Sequence, residues 1–134
     1  MAKLEDIEGI GSAYAAKLRA AGVASVEGLL KAGGRRAGRS ELAEKAGLAS
    51  DLILRWVNHA DLFRIRGVAG EYAELLEAAG VDSVPELAQR NPDKLAEALA
   101  QVNAERKLVR QIPSAKQVAD WVSQATTLER AVHH

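Results

Sequence analysis

The residues with the clearest chemical meaning are two glycines separated by one apolar residue, Gly9-Ile10-Gly11, directly before a predicted helix. Two glycines let the chain reverse tightly and admit another backbone at close range, and Ile10 between them is expected to anchor the bend in the core. The N–H groups that the bend exposes, with those of the first turn of the following helix, form an anion site that the helix dipole strengthens. The spacing therefore predicts an anion site.

A second group of residues carries positive charge. The segment KAGGRRAGR contains no acidic residue, and its glycines predict a loop. The basic residues of this segment are Lys31, Arg35, Arg36 and Arg39. With Lys17 and Arg19, the loop is expected to form one positive face on a protein whose 18 basic and 18 acidic residues cancel. The alternative interpretation is a solvated surface loop that binds nothing.

The sequence does not support a disulfide, a metal site, a catalytic site or a base-stacking site. Without cysteine there is no disulfide, thiolate metal site or thiol nucleophile, and no Ser–His–acid set can be assembled. His59 and Asp61 lack a further ligand at metal-binding spacing and are predicted to cap a helix or to lie on the surface. Trp56 and Trp121 stand at inward-facing helical positions, which favours core packing over base stacking. We therefore expect no enzyme activity, metal, cofactor or small-molecule substrate.

An internal repeat organises the chain. Residues 7–23 read IEGIGSAYAAKLRAAGV and residues 65–81 read IRGVAGEYAELLEAAGV, an offset of 58. Further along, Trp56 corresponds to Trp121 at an offset of 65, so the second copy contains about seven additional residues. We predict two related units, 1–62 and 63–128, followed by a tail, 129–134, that is expected to fray. Units of this size are marginal alone, so they are expected to pack as one compact body.

Composition and helix signals predict an all-α fold with about five short helices in each unit. The chain has 26 Ala and 16 Leu but only five aromatic residues, and it lacks the long alternating stretches that are typical of strands. Helices are predicted at 12–21 and 70–79, each closed by a glycine, Gly22 or Gly80. Two helices are expected after Ser25 and Ser83, which can cap them, and one between Ser40 and Gly47. A longer helix, capped by Ser50, is expected from Asp51 to about Leu62. The others are expected over 91–100 and 104–111 and after Ser114.

The segment around Gly9-Ile10-Gly11, with Ala15 and Leu18 at their spacings, resembles the helix-hairpin-helix family. Over residues 4–128 the chain also resembles a bacterial family known only as a domain of unknown function with tandem helix-hairpin-helix units. The resemblance implies that the hairpin holds a DNA phosphate without reading bases. On this sequence it implies contacts from Gly9, Ile10, Gly11 and Ser12, with Lys17 within range to add charge.

The second copy departs from this pattern. Ala69 replaces the second glycine, and three acidic residues follow in the next helix: Glu71, Glu74 and Glu77. Because carboxylates oppose phosphate binding, the second hairpin is expected to be structural or to dock a protein partner. A helix-turn-helix spacing at Ala43, Gly47 and Ile53 is short and common, and it is interpreted as a degenerate hairpin of the first unit.

Two functions remain open. The first is weak, salt-sensitive DNA binding through the phosphate backbone at the first hairpin, without sequence preference. The alternative is a protein-interaction or scaffold module in which both hairpins only hold the fold. No apolar run reaches the roughly 18 residues that a membrane helix needs, and the start lacks the features of a signal peptide, so a soluble, cytoplasmic protein is expected.

Overall fold

The chain is all-α, as predicted, in a computed structural model that describes residues 2–134. One 3₁₀ turn, Leu4–Asp6, precedes eight α-helices, and no β-strand occurs in the described residues. The helices are α1 (Ser12–Ala20), α2 (Val26–Gly33), α3 (Arg36–Ala46), α4 (Ser50–Leu62), α5 (Gly70–Ala78), α6 (Val84–Ala88), α7 (Pro92–Arg106) and α8 (Ala115–Thr127). None of the helices in residues 2–134 is long and apolar enough to span a membrane.

The helices fall into two compact units. The first unit comprises residues 2–61 together with Arg130–His134, and the second comprises Leu62–Glu129. The first unit therefore contains the 3₁₀ turn, α1, α2, α3 and all but the last residue of α4. The second unit contains α5 to α8, which is four helices where the sequence predicted about five.

In the first unit, α2 packs against α3, and α1 contacts both α3 and the 3₁₀ turn. The larger buried apolar side chains of this unit are Leu4, Ile7, Leu18, Leu29, Leu42, Ile53 and Trp56. Gly33 at the end of α2 is also buried, and a Cβ on it would press against the Val57 side chain of α4. The lack of a side chain at Gly33 therefore allows a close approach inside this core.

In the second unit, α8 packs against α6 and α7, and α5 packs against α7. The larger side chains of this core are Leu62, Ile65, Leu75, Leu76, Leu87, Leu95, Leu99, Val118 and Trp121. The inward face of α8 consists of Val118, Trp121, Val122 and Ala125, as the sequence predicted. Burial of this apolar face accounts for the position of α8 against two other helices.

The glycine ends predicted for α1 and α5 are confirmed. Gly22 has a φ of +96°, and its N–H donates to the carbonyl oxygen of Arg19 at 3.0 Å. The N–H of Val23 donates to the carbonyl oxygen of Leu18 at 2.9 Å. These are the two hydrogen bonds of a Schellman motif, which requires a left-handed residue just past the helix. The second copy repeats both bonds at Gly80, whose φ is +94°.

The cap predicted at Ser25 is confirmed, because its side chain accepts a bond from the N–H of Gly28. Asn91 and Ser114, which were predicted only to begin helices, cap α7 and α8 in the same way. Ser83 occupies the N-cap position of α6 without such a bond. Ser50 was predicted to cap α4 and is instead its first helical residue.

The start predicted for α3 is wrong, because the helix begins at Arg36 rather than after Ser40. The sequence prediction placed Gly38 in a loop, yet this residue lies within the helix. A Cβ on Gly38 would overlap the carbonyl oxygen of Ala32 in α2. A glycine is therefore accepted inside α3 because it permits close packing of the two helices.

The helix predicted over 104–111 is absent, because α7 continues to Arg106 and ends there. Lys107 follows with a φ of +50°. The Asn103 side chain then holds the irregular segment in place, since its Nδ2 donates to the Val109 carbonyl oxygen at 3.0 Å and its Oδ1 accepts from the Val109 N–H at 2.9 Å. Both backbone groups of Val109 are satisfied without a helix.

Asn103→Ala is expected to lower the free energy of unfolding by about 1–3 kcal/mol, because the N–H and C=O of Val109 lose their partners where burial limits access to water. Urea denaturation followed by circular dichroism measures the change. Asn103→Asp keeps the acceptor for the Val109 N–H but sets a carboxylate oxygen against the Val109 carbonyl oxygen, so it should also destabilise the protein. An unchanged denaturation midpoint for Asn103→Ala would contradict the role given to this side chain.

The C-terminal tail was predicted to fray, and this expectation is wrong. Val132 is 1% exposed. The N–H of His133 donates to the carbonyl oxygen of Gly34 at 2.7 Å. A Cβ on Gly34 would lie 2.6 Å from the carbonyl oxygen of Ala131, so the tail passes directly over this glycine. The last five residues are therefore an ordered part of the first unit.

Candidate nucleic-acid interface

The first glycine turn, defined as residues 7–11, joins the 3₁₀ turn to α1. Gly9 has a φ of +94°, in the left-handed region that favours glycine. Ile10 is 3% exposed, and its N–H donates to the carbonyl oxygen of Ile7 at 3.1 Å. Gly11 is extended, with φ −87° and ψ −175°, and forms the N-cap of α1. The apolar residue between the glycines is thus anchored in the core, as predicted.

The residues at the start of α1 lie on the surface. Gly11, Ser12, Ala13 and Tyr14 are all exposed, and no side chain caps this end of the helix. Helical bonding begins with Ala15, whose N–H donates to the Gly11 carbonyl oxygen at 3.0 Å. The earlier N–H groups have no partner within the helix, and no acidic residue stands in the first turn. The positive end of the helix dipole is therefore open to an anion.

The second glycine turn, residues 65–69, has the same backbone but different chemistry. Gly67 has a φ of +97°, and Val68 repeats the backbone hydrogen bond at 3.1 Å. Ala69 takes the N-cap position of α5 in an extended conformation, and Glu71 lies in the first turn of that helix. The two turns form a matched pair in which the geometry is shared and the local charge differs.

A tryptophan packs near each glycine turn. Trp56 and Trp121 are 1% and 2% exposed, and each contacts a tyrosine of the helix that follows its turn, with ring centroids 5.0 and 5.3 Å apart. A Cβ on Gly9 would lie 3.8 Å from Nε1 of Trp56, and one on Gly67 would lie 3.0 Å from Nε1 of Trp121. The predicted core role is confirmed, and neither ring is open to a stacked base.

The two basic residues of α1 differ in their availability. Arg19 donates from both terminal guanidinium nitrogens to the Glu5 carboxylate, at 2.8 and 3.1 Å. This side-chain hydrogen bonding is the main reason that the pKa of Arg19 is raised and the pKa of Glu5 is lowered. Lys17 is exposed, and within residues 2–134 it has no ion pair. Lys17 is therefore the cation of α1 that a phosphate can reach.

The basic segment expected to be a loop consists of a helix end and a helix start. Lys31 lies in the last turn of α2, Arg35 is the N-cap of α3, and Arg36 is its first residue. Both arginines are exposed, and the first turn of α3 contains no acidic residue. Their charges add to the positive end of the α3 dipole.

Arg39 is not on the surface with them. It is 5% exposed, and its Nη1 donates to the carbonyl oxygens of Gly33 at 2.9 Å and Gly34 at 3.2 Å. Its Nη2 donates to the carbonyl oxygen of His133 at 2.9 Å. Burial lowers the pKa of Arg39, and the charge of Arg36 lowers it further. Because this guanidinium joins the end of α2 to the tail, Arg39 is a buried structural residue and not the exposed binding residue that the sequence predicted.

The glycine turn and the exposed arginines lie on separate elements. The nine residues of α1 span about 13 Å. At the C-terminal end of α1, Gly22 and Val23 line a groove with Gly38 and Leu42 of α3, whereas the first glycine turn lies at the other end of α1. The first glycine turn therefore lies at the opposite end of α1 from these residues of α3.

Two polar residues near the end of α4 lie in the interior of the protein. His59 and Asp61 are fully buried, so the expected surface role is wrong. Both make interactions within the chain. Across residues 2–134, no three His, Asp or Glu side chains come close enough together to hold a metal ion.

The chain matches a known protein family over most of its length. The family is described as Domain of unknown function (DUF4332), and the match covers residues 8–128. The chain belongs to this family. The matched range of the DUF4332 domain includes α1 to α8 and the second glycine turn, and it begins inside the first. Neither a curated protein nor a solved structure matches the chain.

The start of α1 in this DUF4332 domain includes two residues that the sequence pattern did not name one by one. Ala13 and Tyr14 lie in the first turn of α1, whose N–H groups the sequence analysis included only as a group. The first four N–H groups of an α-helix lack helical partners, and this rule identifies both residues.

Proposed function

We propose that this DUF4332 domain binds DNA by holding backbone phosphates at the first glycine turn, without reading the base sequence. The observation that carries the proposal is the exposed helix start from Gly11 to Tyr14, whose N–H groups precede the first helical hydrogen bond, with no capping side chain and no acidic residue in the first turn. Such groups bind phosphate readily, and backbone contacts are the same for every DNA sequence. The sequence resemblance to helix-hairpin-helix units supports the same function.

Charge sets the expected strength of binding. Lys17, Arg35 and Arg36 are exposed cations, but the whole chain has a formal net charge of zero. Each neutralised phosphate contributes about 0.9 to the slope of log K against log salt concentration for duplex DNA. Three such contacts predict a slope of about −3 and a weak affinity at moderate salt.

Gly11→Glu is expected to weaken DNA binding by about tenfold or more, because it places a carboxylate beside the N–H groups. The backbone of Gly11 is extended, and a Cβ there would meet no atom within 4 Å, so the fold should tolerate the change. Fluorescence anisotropy with a labelled duplex and a labelled single strand, at low and moderate salt, measures the affinity.

Ala69→Glu makes the same change at the matching position of the second glycine turn and is the control, with no loss of affinity expected. The double variant Arg35→Ala, Arg36→Ala is expected to make the salt slope shallower by about 2. If Gly11→Glu and Ala69→Glu lose the same DNA affinity, the first glycine turn has no specific role in binding. If Gly11→Glu leaves the DNA affinity unchanged, the phosphate site does not lie at the first glycine turn.

A protein-interaction module is the second candidate function. It is favoured by the shared geometry of the two glycine turns, because the second turn forms the same backbone beside Glu71 and so does not depend on a phosphate. In this function, α5 with its acidic residues, or the basic start of α3, docks a protein partner. Absence of DNA binding at low salt by a folded protein would favour this candidate.

A further inference from the structure

A cavity of about 340 Å³ opens in the first unit between the N-terminal ends of α3 and α4. Cavities of this size hold small organic ligands in many proteins. The lining residues are Arg36, Arg39, Ser40, Ser50, Asp51, Leu54 and His134. No residue of the first glycine turn is among them, so the cavity is separate from the proposed DNA contact at that turn.

Two arginines line this cavity without a paired carboxylate. Within residues 2–134, neither Arg36 nor Arg39 forms an ion pair, and the carboxylate of Asp51 is not within salt-bridge distance of either. The Arg36 charge disfavours the charged form of Arg39 and contributes to its lowered pKa, after burial. An anion placed between the two guanidinium groups would offset this repulsion.

Hydrogen-bond donors from both helices surround the cavity. A guanidinium has five N–H donors, and the bonds of Arg39 to three carbonyl oxygens use three of them. Ser40 and Ser50 contribute hydroxyl groups. At the start of α4, Ala49 has no side-chain oxygen to cap the first N–H groups. Asp51 lies in this first turn and lines the cavity, so its carboxylate opposes an anion and the two arginines must supply the attraction.

We propose that this cavity binds the phosphate group of a small phosphorylated molecule between Arg36 and Arg39, with the organic part of the ligand against Leu54. Guanidinium groups and helix N-termini bind phosphate through several hydrogen bonds at once. This site goes beyond the proposed function. It shares Arg36 with the proposed DNA surface, but it does not depend on DNA binding.

The test records backbone amide NMR signals of the labelled full chain during addition of inorganic phosphate, AMP or adenosine at constant ionic strength. Phosphate and AMP are expected to move the signals of residues 36–40 and 50–54, whereas adenosine, which lacks the phosphate, leaves them in place. Arg36→Gln is expected to weaken phosphate binding by about tenfold. Arg35→Gln is the matched control, because this exposed neighbour does not line the cavity.

Several outcomes would overturn the proposal. Phosphate that moves only the signals of residues 11–14, or none, would show that the cavity is not its site. If Arg35→Gln and Arg36→Gln lose the same phosphate affinity, the binding depends on the overall positive charge and not on the cavity. If duplex DNA shifts the NMR signals of the cavity residues and AMP does not, the proposal that the cavity binds a small phosphorylated molecule is wrong. Gly11→Glu distinguishes the two sites, since it should weaken DNA binding and leave phosphate binding in the cavity unchanged.

Discussion

Replacing Arg39 by alanine is expected to lower the free energy of unfolding of the first unit by about 3 kcal/mol. The substitution removes a buried guanidinium and leaves the carbonyl oxygens of Gly33, Gly34 and His133 without their donor. Buried acceptors that lose a charged partner are costly because water cannot replace it fully. The tail should detach as a result, and Val132, now 1% exposed, should become accessible to solvent.

Urea denaturation gives the stability of the Arg39→Ala variant, and hydrogen exchange shows where stability is lost. The amide of His133, which donates to Gly34 at 2.7 Å, should exchange much faster in the variant. Arg36→Ala is the control, because Arg36 is exposed and its loss should change stability by no more than about 0.5 kcal/mol. Unchanged exchange at His133 in Arg39→Ala would mean that other contacts hold the tail.

Gly38→Ala is expected to destabilise the first unit by about 1–3 kcal/mol, although alanine is the better helix former. Gly38 lies inside α3, where helix propensity alone predicts a gain of about 1 kcal/mol. A Cβ there would overlap the carbonyl oxygen of Ala32. Because backbone atoms cannot swing aside as a side chain does, α2 and α3 must separate slightly, and the packing between them weakens.

Ala37→Gly is the matched control for this substitution. Ala37 is exposed and adjacent in α3, so its change to glycine should cost about 1 kcal/mol through propensity alone. If close packing governs position 38, both variants have lower urea midpoints than the parent protein. If propensity governs it, Gly38→Ala has a higher midpoint and Ala37→Gly a lower one, and the packing argument fails.

Features that depend on nearby residues could be predicted from the sequence. The left-handed ends of α1 and α5 at Gly22 and Gly80 follow from a glycine just past an apolar helical pattern. The burial of Ile10 follows from its place between two glycines, and the cap of Ser114 from the Gln that stands three residues later. In each case the interacting groups lie within about one turn of each other.

Features that depend on distant or competing contacts could not be predicted. Arg39 stands in a run of basic residues and glycines that is typical of a surface loop, yet it binds His133, which is 94 residues away. Gly38 indicated a loop because its role depends on the proximity of α2. The paired bonds of Asn103 to Val109 replace a predicted helix, because side-chain bonds to the backbone compete with helical ones.

The first unit cannot be completed until the ribosome has made residues 130–134. Those residues complete the first unit, but all of Leu62–Glu129 is translated before them. At about 5–20 residues per second this interval lasts on the order of several seconds. Until it ends, the guanidinium of Arg39 has no His133 carbonyl to bind. A nascent chain that terminates early, anywhere within Leu62–Glu129, would therefore release its N-terminal part without the segment that closes it.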